Sequence, residues 1–65
     1  MMYDVVVVKV AAPHRVRLMA EGLSERNAEA VVRMAVARLG VEEEFYSYVP
    51  AGELKDGDPW LRGER

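Results

Sequence analysis

The sequence contains no cysteine, which excludes disulfide bonds and cysteine-ligated zinc sites. A single histidine also excludes a histidine cluster as a metal centre. Chains of this length bury only about 60% of their unfolded surface, and small domains usually need a disulfide, a metal or a partner for stability. Because the first two stabilising features are missing here, we expect the chain to associate with itself.

Long apolar runs are missing as well, since no run approaches the roughly 18 residues that a membrane-spanning helix needs. The N-terminal residues lack the charged region and cleavage site of a signal peptide, so we expect a cytoplasmic protein without membrane contact. Acids and bases are interleaved to a net charge of −2, a balance that favours solubility over binding to nucleic acid. Isoleucine, threonine and glutamine are absent and arginine outnumbers lysine, a bias that indicates a GC-rich genome and weakly suggests a thermophile.

Residues 24–40 are the segment with the clearest helical pattern. Ser24 is suited to cap the helix N-terminus, and Gly40 is suited to a left-handed C-cap. Glu29 and Arg33 are four residues apart in the order that stabilises a helix. The apolar positions recur at helical spacing and form one stripe: Ala28, Val31, Val32, Ala35 and Leu39.

Three segments have the composition of β-strands: residues 3–10, 15–20 and 41–49. The first contains four consecutive valines and is apolar on both faces, as expected of a central strand. Pro13 marks a short turn, so the second strand should pair antiparallel with the first. We therefore predict an α+β fold of β-β-α-β order, with a three-stranded antiparallel sheet in the order 2-1-3 and one helix on one face.

Residues 1–50 make up this single domain, and residues 51–65 form a C-terminal turn and tail. Trp60 should attach the tail either to the same domain or to a neighbouring chain. One helix covers one sheet face only, so a second apolar face is left over. We expect it to carry Arg15, Arg17 and Met19, the central valines, and either the Glu42, Glu44, Tyr46 and Tyr48 set or its counterpart.

An apolar face of this kind predicts a homodimer, formed through the face or by pairing of edge strands. The alternative is that the tail folds back over the valines of its own chain. The residues predicted to contact a second copy or another protein are Arg15, Arg17, Tyr46, Tyr48 and Trp60. The same arginines and tyrosines suggest a nucleic-acid-binding or small regulatory protein as the alternative function, which the neighbouring glutamates disfavour.

The sequence offers no pattern for catalysis, for a cofactor or for a metal. Asp56-Gly57-Asp58 lacks the further oxygen ligands of a calcium loop. The three carboxylates at positions 42–44 alternate between strand faces, and His14 lies in a turn with no nucleophile near it in sequence. We therefore expect a non-enzymatic protein that acts through protein–protein contact.

Part of the sequence resembles a family of short uncharacterised proteins from bacteriophages and from bacteria with GC-rich genomes. The resemblance covers roughly the C-terminal two-thirds of the chain. It lies in Asn27-Ala28-Glu29-Ala30, Met34-Ala35-Val36, Gly40-Val41-Glu42, Phe45, Gly52 and Lys55-Asp56-Gly57-Asp58-Pro59-Trp60. The resemblance implies a small accessory protein of phage origin and brings no assigned activity with it.

Overall fold

Three strands and one helix follow one another in a computed structural model of the chain, which describes residues 1–11, 13–39 and 43–61. The elements are β1 (Tyr3–Lys9), β2 (Val16–Leu23), α1 (Glu25–Leu39) and β3 (Glu44–Pro50). The sheet has the order β2-β1-β3, and β1 is antiparallel to both neighbours. This arrangement confirms the predicted α+β fold, with the valine-rich strand at the centre of the sheet.

The strand boundaries differ from the predicted ones in two places. β2 runs on to Leu23, beyond the expected end near Ala20, because Gly22 takes a positive φ of 68° and shifts in register let the strand keep pairing with β1. β3 begins at Glu44 and ends at Pro50, whereas the predicted strand covered residues 41–49. Positions 40–42, including the predicted Gly40 cap, lie outside the described residues.

The helix begins as the sequence predicts. The Ser24 hydroxyl accepts a hydrogen bond from the Asn27 backbone N–H at 3.2 Å, which satisfies one of the unpaired donors of the first turn. Glu29 and Arg33 form the expected ion pair at 3.0 Å. Leu39 differs from the prediction, because it is exposed at the side of an apolar cleft instead of being buried in the stripe.

The apolar side chains of β1 form two clusters, one on each face of the sheet. On the helix face, Val7 and Tyr46 pack with Ala35 and the half-buried Val32. The second cluster, on the opposite face, consists of Val6, Val8, Val16, Phe45, Val49 and Trp60, with Leu18 and Leu54 packed against it. Both faces of the central strand are therefore kept from water within one chain.

The cover of the second face is the C-terminal tail of the same chain. Trp60 is 7% exposed and its ring meets that of Phe45 edge to face, with 5.7 Å between centroids. The expectation of an uncovered apolar face is therefore wrong. Arg17 was also expected on that face, but it follows the register of Val7 and lies on the helix face. Of the two β3 sets that the sequence left open, the counterpart with Phe45 and Val49 lies on the second face, and Tyr46 lies on the helix face.

Asp4 attaches both flanking segments to β1. Asp4 is 4% exposed, and its two carboxylate oxygens accept hydrogen bonds from the backbone N–H groups of Gly22 and Gly52, each at 3.0 Å. Both glycines have positive φ, at 68° and 81°, a conformation that suits residues without a Cβ. A buried carboxylate paired in this way holds the end of β2 and the start of the tail in place.

Replacement of Trp60 by alanine should destabilise the domain by about 3–5 kcal/mol, because it leaves a large cavity in the second cluster. Leu61→Ala is the matched control, since the neighbouring Leu61 is 86% exposed and its loss should change the free energy of unfolding by less than about 0.5 kcal/mol. Urea denaturation followed by circular dichroism measures both values. Equal stability of the two variants would contradict the packing described here.

Candidate functional site

The residues predicted to make contacts do not form one surface. Trp60 lies in the second cluster and Tyr46 lies beneath the helix, so both belong to the interior. Tyr48 is half-buried, and its ring packs edge to face on Tyr3 at 5.5 Å. Only Arg15 and Arg17 are brought together, beside a cleft at one end of the sheet. Two sheet edges, two flanks of the helix and this cleft make up the surface around the sheet and helix.

The outer edge of β2 is occupied by the tail. The Val16 N–H donates to the Asp58 carbonyl at 2.9 Å, and the Gly57 N–H donates to the Val16 carbonyl at 2.8 Å. The Leu18 N–H donates to Asp56 Oδ1 at 2.9 Å. Since these bonds use the outward backbone groups of the first part of β2, another strand has no place to pair there.

No described residue pairs with the outer edge of β3, which we call the open edge. Hydrogen bonds from the Val10 N–H to the Glu43 carbonyl and from the Ala51 N–H to the Met2 carbonyl continue the ladder with β1 at its two ends. Because antiparallel pairing alternates, the odd-numbered β3 residues bond to β1 and the even-numbered ones direct their backbone groups outward. The N–H groups of Glu44, Tyr46 and Tyr48 have no hydrogen-bond partner among the residues described.

One flank of the helix lies beside this open edge. The Tyr48 hydroxyl donates to the Glu25 carboxylate at 3.4 Å, and Val32 packs near Tyr46, so these helix residues mark the side toward β3. Val36 is one turn beyond Val32 on the same flank and is 41% exposed. The flank therefore adds an exposed apolar side chain next to the open strand.

The opposite flank of the helix faces β2 across an open apolar cleft. Its lining includes Met19 of β2 and Val31, Met34 and Leu39 of the helix, with Arg38 at its side. Met34 is 56% exposed. This cleft and the β3 edge lie on different sides of the helix, so a change in one leaves the other intact.

The cleft beside Arg15 and Arg17 lies at the sheet end where Lys9 and Glu44 pair, and it has a volume of about 510 Å³. Arg15 Nη1 donates to the Gly57 carbonyl at 3.1 Å, while Arg17 Nη2 is 4.0 Å from Glu44 Oε2. Sequence reasoning missed Lys9 as a third cation here, because its position depends on the pairing of β1 with β3. We call this feature the cationic cleft.

No family model, curated protein or solved structure matches this chain. Within the described ranges, no three acidic or histidine side chains come close enough together to hold a metal ion. Nor does the part of the chain that the structure describes include a helix long and apolar enough to cross a membrane. The geometry of these surfaces is therefore the basis for a functional proposal.

Tyr48 is the residue of this region whose ionisation depends on the fold. Partial burial, and then the negative charges of Glu25 and Glu29, raise the pKa of the Tyr48 hydroxyl above its ordinary value. In the unfolded chain the same hydroxyl has a pKa of about 10. The unfolded state thus loses this proton first as the pH rises, and the native state becomes relatively less stable.

The free energy of unfolding of the Tyr48→Phe variant should therefore fall less between about pH 8.5 and about pH 10.5 than that of the unmodified chain. Glu25→Gln should act in the same direction, since it removes a charge that opposes ionisation of the hydroxyl. Glu21→Gln serves as the control, because Glu21 is not among the groups that shift Tyr48. Urea denaturation at both pH values gives the comparison, and identical losses in all four proteins would contradict it.

Proposed function

We propose that this chain is a non-enzymatic accessory protein of the cytoplasm that acts as a homodimeric interaction module, joined through the β3 edges of two copies. The observation that carries the proposal is the contrast between the two sheet edges. The tail occupies the outer edge of β2 at Val16 and Leu18, whereas three outward N–H groups of β3 have no partner among the described residues. Unpaired strand edges are templates for pairing with a further strand.

A two-fold axis beside Tyr46 gives the pairing that uses all of these groups. Antiparallel pairing about that axis sets Tyr46 opposite Tyr46 of the second copy, and Glu44 opposite Tyr48. The three N–H groups of each copy then bond to three carbonyls of the other. No glutamate faces its own copy in this register, so the alignment avoids repulsion between like charges.

The helices of the two copies would lie side by side and antiparallel on one face of the joined sheet. Val36 of each copy then approaches the Val32 and Glu29 region of the other, because the axis passes near the middle of the helix. Glu29 and Arg33 are exposed on this side and carry opposite charges, so antiparallel helices place acids near bases. Backbone pairing and this flank together form the proposed interface.

The size of the chain supports dimerisation, and the residue bias supports the proposed GC-rich bacterial origin. A domain this small has a limited core, and burial of a sheet edge and a helix flank adds apolar contact. Nucleic-acid binding through stacked tyrosines is less well supported. Tyr46 lies beneath the helix and Tyr48 packs on Tyr3, so neither ring offers an open face on the sheet.

Val36→Glu should shift the protein from dimer to monomer, since it places a charge at the helix contact near Glu29 of the second copy. Met34→Glu is the matched control, because it makes the same kind of change on the flank that faces β2. Sedimentation velocity should give twice the 7.3 kDa chain mass for the unmodified protein and for Met34→Glu. A monomeric unmodified protein at micromolar concentration would disprove the proposal, and equal effects of both variants would disprove this interface.

A second pair of variants tests the backbone contribution. Tyr48→Pro and Tyr48→Ala both remove the ring, but only proline also removes an outward N–H. That N–H makes no bond to β1, so proline should leave the ladder within the chain intact while it weakens the dimer by about tenfold or more relative to alanine. Dissociation constants from sedimentation equilibrium, with circular dichroism as the check on folding, decide the comparison.

A further inference from the structure

The cationic cleft has the charge and shape of a site for a small anion. Its walls carry three cationic side chains, Lys9, Arg15 and Arg17, against two carboxylates, Glu44 and Asp56. The lining charge is therefore positive although the whole chain is negative, with a net charge of −2. Its volume of about 510 Å³ falls within the range of small-molecule sites.

The three cations differ in how firmly they are engaged. Arg15 is fixed by its bond to the Gly57 carbonyl, which leaves the remaining N–H groups of its guanidinium for a ligand. Arg17 and Glu44 meet at 4.0 Å, the outer limit of an ion pair, and Arg17 is two-thirds exposed. Lys9 has no ion-pair partner among the residues described. A ligand can therefore reach all three cations without breaking a short ion pair.

The two carboxylates also differ. Asp56 Oδ1 already accepts the Leu18 N–H at 2.9 Å, and this bond holds the tail turn against β2. Among the described residues, the Glu44 carboxylate makes only the long contact to Arg17, so it is the group that an incoming anion would displace. Two guanidinium groups beside one ammonium suit a planar or tetrahedral oxyanion, which arginine binds through paired hydrogen bonds.

We propose that the cationic cleft binds the phosphate group of a small molecule, with Lys9, Arg15 and Arg17 as its ligands and Glu44 as the competing charge. A doubly charged phosphate monoester matches three cations better than a single carboxylate does. The proposal is independent of the dimer, because these residues belong to one chain and no backbone group of the β3 edge takes part. A long nucleic acid is disfavoured, since its further phosphates would meet the acidic remainder of the surface.

The test is an NMR titration of the ¹⁵N-labelled protein with inorganic phosphate and with glycerol 3-phosphate. We expect saturating shifts at the amides of Lys9, Arg17 and Gly57, with a dissociation constant on the order of 1 mM or tighter. Sodium chloride at equal ionic strength should not reproduce them. Shifts that fail to saturate, or that chloride reproduces, would overturn the proposal, as would much tighter binding of a single-stranded oligonucleotide.

Three charge variants make the test specific. Arg17→Gln should weaken phosphate binding by about tenfold, whereas Arg33→Gln, which removes a helix cation that does not line the cleft, should leave it unchanged. Glu44→Gln should tighten binding several-fold, because it removes the competing carboxylate and keeps the backbone N–H that the dimer uses. Equal losses in Arg17→Gln and Arg33→Gln, or no tightening in Glu44→Gln, would show that the cleft is not the site.

Discussion

The structure depends on keeping water away from both sides of one strand. Val5, Val6, Val7 and Val8 are all buried, and successive side chains of a strand point to opposite faces, so β1 requires two separate covers. The helix supplies the first cover and the tail, through Leu54 and Trp60, supplies the second. Outside these two covers, the described surface presents the cationic cleft, the outer edge of β3 and the two flanks of the helix.

The tail also determines the direction in which the sheet can grow. Its bonds to Val16 and Leu18 occupy the first part of the outer β2 edge, whereas no described residue pairs with the outer edge of β3. Two copies that join through β3 use the same edge of each chain, so no β3 edge is left for a third copy. In the proposed dimer, the association therefore stops at two chains and does not continue into a filament.

The features that were predictable from the sequence are local ones. Valine content placed β1 at the centre, Ser24 marked the helix start, and the order of the elements followed from short connections. Alternation in β1 did not reveal which face the helix covers, because both faces are equally apolar. The docking of Trp60 on Phe45 and the approach of Lys9 to the arginines depend on contacts between distant residues, which no local pattern encodes. The difference between the two sheet edges also depends on a long-range contact, because it is the tail that covers part of β2 and, among the described residues, leaves β3 free for pairing.

The position of the second cover has a consequence for how the chain reaches its folded state. Val6 and Val8 lie near the start of the chain and Trp60 near its end, so the contact between them closes a loop of almost the whole sequence. Contacts of such large separation form slowly, because the entropy of closing the loop is lost before the contact is gained. During synthesis, that side of the valine strand is not covered by Trp60 until the end of the tail has left the ribosome, and apolar surface exposed in such an interval favours aggregation.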